Sequence, residues 1–283
     1  MRNPLKILKK INSFGMKSLI FNGKQTDNLS LDIEHLFRGF YYSDGFFETM
    51  YFDGKNLRNK AFHIERIKKA INTYEFITEK DVTSLLDERL AFIDTKVPQR
   101  IKWTFWRKGK GTYLAEQNEV NELFEFSELK SLTIKLKSAS IYKKFKVPFS
   151  PISRFKTLEC SVYNFAARYM DSKNLDDVIL LGKHQAVCEA LYSNLFWING
   201  DTVYTPAITT GCIDGTMRNC IIDYLDKKNI KVESGHYSPE ELFKADVVFT
   251  TNALKIEYIT NIDNHSFGST HSIVEDIRQQ LVL

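Results

Sequence analysis

The sequence predicts a two-domain protein of mixed strands and helices, α+β or α/β. Three observations carry this. Short alternating or continuous apolar runs recur in both halves, interleaved with segments whose apolar residues follow a helical period. Residues 138–153 follow neither period and hold Pro148 and Pro151 beside Lys143, Lys144 and Lys146, so they read as a connection between domains. The 283 residues, 43% hydrophobic and 26% charged, are enough for one large or two ordinary domains with a substantial core. The expected organisation is a tail over 1–15, a smaller α+β domain over 16–137, the connection, and a larger domain over 154–283.

Taken in order, Leu19–Phe21 is a strand closed by the turn Asn22-Gly23. Met16 is a possible true start, which leaves the basic residues before it as an amphipathic or disordered tail. Phe46–Phe52 is a strand left through Asp53-Gly54. Ala61–Tyr74 places Phe62, Ile64, Ile67, Ala70 and Ile71 at helical spacing, and Val82–Ile93 is a second amphipathic helix. Arg100–Trp106 alternates as a strand, broken by Lys108-Gly109-Lys110-Gly111, and Leu132–Leu136 alternates similarly. In the second half, Cys160–Lys173 reads as a helix, followed by strands over Asp177–Leu181, Ala186–Ala190 and Leu195–Ile198. Asn199-Gly200-Asp201 turns into Val203-Tyr204. Helix Gly215–Lys228, strand Ile230–Glu233, helix Pro239–Lys244 and strand Val247–Thr250 come next, and a final helix runs from Ser272 to Leu281.

The bulk numbers exclude several function classes. A net charge of +4 lacks the concentrated basic face of a nucleic-acid binder. Six scattered histidines give no metal spacing, so no metal site is expected. Four cysteines in no CxxC pairing fit a reduced, cytoplasmic protein. No apolar run approaches the roughly 20 residues of a membrane span.

Chemistry concentrates between Arg154 and Arg218. Lys156 sits just before a helix, and Glu189 lies inside the apolar run Ala186–Leu191, where a carboxylate is seldom buried without a partner. Gly215-Thr216-Met217 opens a helix whose free N–H groups suit an anion. Arg66, on the early helix, can reach a phosphate bidentately. Each residue also has a plain reading: a solvated lysine, an outward-facing strand glutamate, an ordinary capping turn after Asp214, a surface arginine. Together, a lysine that bonds a carbonyl, a carboxylate for a pyridine nitrogen and an amide-rich turn for a phosphate are the parts of a pyridoxal 5'-phosphate site.

The order of these clusters resembles the fold-type IV pyridoxal phosphate enzymes, which include branched-chain and D-amino acid aminotransferases and aminodeoxychorismate lyase. Asp44-Gly45-Phe46-Phe47-Glu48-Thr49 is similar to the family's early strand motif, and His63-Ile64-Glu65-Arg66 to its arginine-bearing helix. Ser193-Asn194-Leu195-Phe196 and Gly215-Thr216-Met217-Arg218 match two further signatures. The resemblance covers about Ile20 to Phe267. It implies that Lys156 bonds the cofactor and shuttles the substrate proton, while Glu189 keeps the pyridine nitrogen protonated. It also implies that Arg66, Asn194, Thr216, Met217 and Asn252 bind the cofactor, in a homodimer with its site near the partner chain.

The second half resembles the folate-pathway lyase branch most, through Asn194-Leu195-Phe196-Trp197, Val203-Tyr204-Thr205-Pro206 and Asn252-Ala253-Leu254. Lys102 and Arg107 resemble basic positions used near a carboxylated, amino-acid-like substrate, or else they lie on a solvated strand edge. Glu48 is assigned to catalysis. It stands where some lyases carry a threonine and aminotransferases a glutamate, Ser43 replaces the family glycine before Asp44, and Lys255-Ile256-Glu257 departs from the lyase's wording. The resemblance thus implies a lyase releasing pyruvate and 4-aminobenzoate. The alternative is an aminotransferase acting on branched-chain or D-amino acids, and the remoter one a non-catalytic cofactor- or anion-binding protein.

Overall fold

The structure, a computed structural model, describes residues 18–26, 33–94, 96–129 and 134–282. The expected tail, the Met16 start and the first residues of the Leu132–Leu136 strand lie outside the described residues. The chain divides into two compact units. One is drawn from Met1–Lys60 and Ile67–Ser131, the other from Ala61–Arg66 and Leu132–Leu283.

The first unit is built on five antiparallel strands: β1 (Ser18–Phe21), β2 (Lys24–Thr26), β3 (Gly45–Phe52), β4 (Gln99–Arg107) and β5 (Val120–Glu128), in the order β2-β1-β5-β4-β3. Helices α1 (Ile33–Tyr42), α2 (Lys60–Thr73) and α3 (Val82–Leu90) accompany them. The register sets Phe46 opposite Phe105 and Trp103 opposite both Glu48 and Phe124. Strand alternation therefore collects these side chains on one face. The Trp103 and Phe105 rings lie 4.5 Å apart, and Phe46 stacks on Phe105 at 5.0 Å.

A carboxylate sits in this aromatic face. Glu122 accepts from Arg89 Nε at 2.6 Å and from the Trp103 indole N–H, and Glu122 and Arg89 are both buried. A buried ion left without its partner is strongly destabilising. Glu122→Ala is expected to cost about 3–5 kcal/mol in urea unfolding, far more than the loss of either partner of an exposed pair such as Lys80–Glu88.

The second unit holds a nine-stranded mixed sheet. Its strands are β6 (Lys137–Tyr142), β7 (Asp177–Leu181), β8 (Val187–Ala190), β9 (Asn194–Asn199), β10 (Thr202–Pro206), β11 (Val232–Gly235), β12 (Val247–Thr251), β13 (Ile256–Ile262) and β14 (His265–Ser266). The order is β11-β10-β9-β12-β13-β6-β7-β8, with β14 on β13. The stretch expected to connect domains thus begins as strand β6, parallel to both β13 and β7. Ile134–Leu136, expected to alternate as a strand, is irregular, and the strand starts at Lys137.

Both faces of this sheet are covered, which is why its central strands read as continuous apolar runs. Phe196, Ile198 and Phe249 pack with α5 (Thr216–Lys227) and α7 (Ser272–Leu281) on one side. Leu195, Trp197 and Val248 pack on the other with Leu242 of α6 (Pro239–Leu242), which starts in a capping box between Ser238 and Glu241. Helix α4 (Ser161–Ser172) covers β6 and β7 through Ala166, Val178 and Leu180. Strand β10 leads through Gly211–Gly215 into α5, which returns to β11 parallel to β10. In such a unit the loop at the strand's carboxyl end and the helix N-terminus form the usual ligand position. No helix among the described residues is long and apolar enough to cross a membrane.

Candidate active site

The loop Gly211–Gly215 is the hub of the second unit. The Ile213 N–H donates to Glu189 Oε2 at 3.1 Å, and its carbonyl accepts from Asn194 Nδ2 at 2.7 Å. The Asp214 carbonyl accepts from Arg66 Nη1 at 3.0 Å. The Asp214 N–H donates to the Arg154 carbonyl at 2.9 Å, and its carboxylate accepts from Arg154 Nη2 at 2.7 Å and Asn219 Nδ2 at 2.9 Å. Burial disfavours the Asp214 carboxylate, but Arg154 and Asn219 more than offset it and hold the group below the usual carboxylate range. Four expected residues or their neighbours, Arg66, Glu189, Asn194 and the segment carrying Lys156, thus meet at one loop.

Helix α5 opens there on Gly215, which brings no side-chain cap to the first turn. The glycine is required for space: a Cβ would lie 1.8 Å from Asn194 Oδ1. Thr216 and Met217 follow, both buried, so the positive end of the helix lies in the interior rather than in bulk water.

Glu189 is 2% exposed, on β8 between Cys188 and Ala190. Tyr163 Oη of α4 donates to its Oε1 at 2.6 Å. Burial raises its pKa to about 7, against the lowering effects of Tyr163, the Ile213 N–H and the Lys156 charge. Half-buried Lys156 follows buried Phe155 in the turn before α4, close enough for its charge to act on Glu189.

The raised Glu189 has a consequence for the cofactor-free protein. An acid raised from 4.5 to about 7 holds its proton in the folded chain where the unfolded chain has released it. Folding stability therefore falls as pH climbs through that window, by about 3 kcal/mol in all. Urea unfolding at pH 5 and pH 7.5 is expected to show this loss in wild type relative to Glu189→Gln. Equal slopes in the two proteins contradict the assignment.

The remaining expected residues fall as follows. Asn252 follows β12, and its side chain builds its own turn: Oδ1 accepts from the N–H of Leu254 at 2.9 Å and of Lys255 at 3.2 Å, while Nδ2 donates to Ser193 Oγ at 3.0 Å. Glu48, Lys102 and Arg107 belong to the first unit. Glu48 is buried on the aromatic face, and Lys102 Nζ sits 4.9 Å from the Phe47 ring centre. The Arg107 guanidinium donates to Asp44 at 2.9 Å, Asn118 at 2.5 Å and the Tyr74 carbonyl at 2.7 Å, above Phe76.

Tyr163, Arg154, Asp214 and Thr251 were not singled out as site residues from the sequence. Asp214 was visible as the residue before the helix start, and Tyr163 as the one aromatic a helical turn or two beyond Lys156. Nothing local marks Thr251.

A phosphorylated pyridine aldehyde fits this donor set. Thr251 Oγ1 and Arg154 Nε are buried without a hydrogen-bond partner, a condition that native interiors relieve with a ligand or water. The uncapped helix start suits a phosphate, and the buried carboxylate suits a protonated ring nitrogen. No cluster of three or more metal-ligating side chains occurs among the described residues.

Comparison with known proteins agrees with the geometry. A family model described as amino-transferase class IV matches residues 45–262, and the family is pyridoxal 5'-phosphate dependent. Aminodeoxychorismate lyase of Bacillus subtilis (strain 168) is 26% identical over 258 residues, spanning 88% of this chain and 87% of that protein. The crystal structure of 4-amino-4-deoxychorismate lyase from Pseudomonas aeruginosa superposes with a TM-score of 0.81 at 19% identity, over 94% of this chain and all of that one (100%). An aminotransferase from Brucella abortus, bound to the cofactor PLP, superposes with a TM-score of 0.80 at 16% identity over 93% and 96%.

Proposed function

This chain belongs to the amino-transferase class IV family, and from that premise we propose that it is a pyridoxal 5'-phosphate-dependent 4-amino-4-deoxychorismate lyase, releasing pyruvate and 4-aminobenzoate. What supports the lyase branch is one observation above the others: over nearly the length of both chains the Bacillus subtilis lyase is 26% identical, against 22% for the D-alanine aminotransferase of Bacillus licheniformis over a similar span.

In this proposal Lys156 Nζ carries the cofactor. Arg66, Thr216 and Met217 hold its phosphate at the start of α5. Asn194 and Asn252 act through the loops they fix, the first at Ile213 and the second at Ser193. Glu189, held by Tyr163 and the Ile213 N–H, keeps a proton on the pyridine nitrogen. Bound cofactor supplies an electron sink for the pair left when the substrate's amino-bearing carbon loses its proton. With the cofactor bound, Lys156 Nζ would take that proton and serve as general acid afterwards. Loss of the neighbouring enolpyruvyl group then leaves an aromatic ring. Lys102 and Arg107 are assigned to the substrate's carboxylates, and Glu48 to the reacting end. The working form is proposed to be a homodimer in the cytoplasm, with the site near the partner chain.

Glu48 favours a second reading, aminotransferase, because the family's aminotransferases carry glutamate there. Incubating holoenzyme with aminodeoxychorismate, beside a panel of 2-keto acids and amino donors, separates the two. Equal amounts of pyruvate and 4-aminobenzoate support the lyase. Amino transfer that depends on a keto acid, without pyruvate release, overturns it.

A further inference from the structure

A buried ionic ring lies on the face of the large sheet opposite α5 and takes no part in the chemistry proposed above. Lys137 Nζ, at the first residue of β6, sits 2.9 Å from Asp177 Oδ2 and 2.9 Å from Glu257 Oε2, with Thr250 Oγ1 at 3.4 Å. Asp177 is fully buried and Glu257 nearly so. Burial works against the Lys137 ammonium, but the two carboxylates overcome this and hold it above its usual range.

Each carboxylate uses its other oxygen on a turn. Asp177 Oδ1 accepts the Leu191 N–H at 3.1 Å, at the head of the turn that delivers Ser193 and Asn194. Glu257 Oε1 accepts Lys255 Nζ at 2.6 Å, and the Lys255 N–H in turn donates to Asn252 Oδ1. Asn252 Nδ2 reaches Ser193 Oγ, which closes the ring. Thr251 follows Thr250 on β12 and points to the opposite face of the sheet, paired in register with Asn194 and carrying the buried, unpartnered hydroxyl. Apolar residues of similar volume stabilise a fold as well as a buried ion pair does, so stability alone does not require these charges. A ring of directional bonds does fix one arrangement of two turns.

We propose that Lys137 is a positioning residue for the phosphate end of the cofactor, holding the Leu191–Ser193 and Thr251–Lys255 turns so that Thr251 and Asn194 present one fixed surface beside the start of α5. This rests on the reading above that the phosphate lies at that helix start.

The test compares binding of pyridoxal 5'-phosphate and unphosphorylated pyridoxal to cofactor-freed, full-length protein. Lys137→Met is expected to weaken the phosphorylated form by about tenfold or more while leaving pyridoxal nearly unchanged, as loss of an outer-shell partner does at ordered sites. The pH midpoint of the bound cofactor's visible band is expected to stay put, because Tyr163 and Ile213 still hold Glu189. If Lys137→Met does not fold, Lys255→Met decides. It cuts only the Glu257 arm at a partly exposed side chain and is expected to move the same ratio less. A folded variant with the wild-type ratio overturns the inference. Wild-type protein that binds both forms alike removes the phosphate reading instead.

Discussion

Lys156→Ala is expected to lower turnover about 10⁴-fold or more, because one amine both bonds the cofactor and moves the substrate proton. The loss should fall on kcat far more than on cofactor affinity. Arg66, the start of α5 and the Gly211–Gly215 loop are untouched by the change, so phosphate binding survives it. Added small amines are expected to restore part of the rate, since they supply a base where the side chain was removed. A variant that keeps wild-type turnover places the proton transfer on another residue.

Glu189→Gln is expected to cost about 10²–10³-fold in kcat with a modest change in cofactor affinity. The amide keeps the carboxylate's shape, and its oxygen still accepts one donor from Tyr163 or the Ile213 N–H. It carries no charge to hold a proton on a pyridine nitrogen. The electron sink weakens, and the bound cofactor's visible band should shift relative to wild type. Unchanged kcat with an unchanged band detaches Glu189 from the ring nitrogen.

The elements most legible in the sequence were those whose burial is apolar. Phe46–Phe52, Arg100–Trp106, Leu195–Ile198 and the helices over 61–74, 160–173 and 215–228 carry clean periods, and the structure has elements at each. Elements escaped reading where ions are buried on a sheet face. Strand β5 puts Glu122 among Trp103, Phe105 and Phe124, which breaks its alternation. Strands β6 and β13 carry Lys137 and Glu257 into the interior, so neither shows an uninterrupted apolar period in the sequence. Helix α1 leaves Phe40 and Tyr41 exposed, so its apolar residues fall on more than one side.

The site followed the same division. Lys156, Glu189, Arg66 and the helix start were legible as motifs in order along the chain. What joins them was not, because the joining bonds run through backbone groups of Ile213 and Asp214, and a backbone N–H leaves no mark on residue identity. The expected basic pair differs in its local contacts: Lys102 Nζ lies over the Phe47 ring, while Arg107 donates to Asp44, Asn118 and the Tyr74 carbonyl.

The most direct test of the central claim is to reduce the yellow holoenzyme with borohydride, digest it and weigh the peptides. The account predicts loss of the visible band and a cofactor-sized mass increase confined to the peptide containing Lys156. Label on another lysine, or a protein that takes up no pyridoxal 5'-phosphate at all, contradicts it.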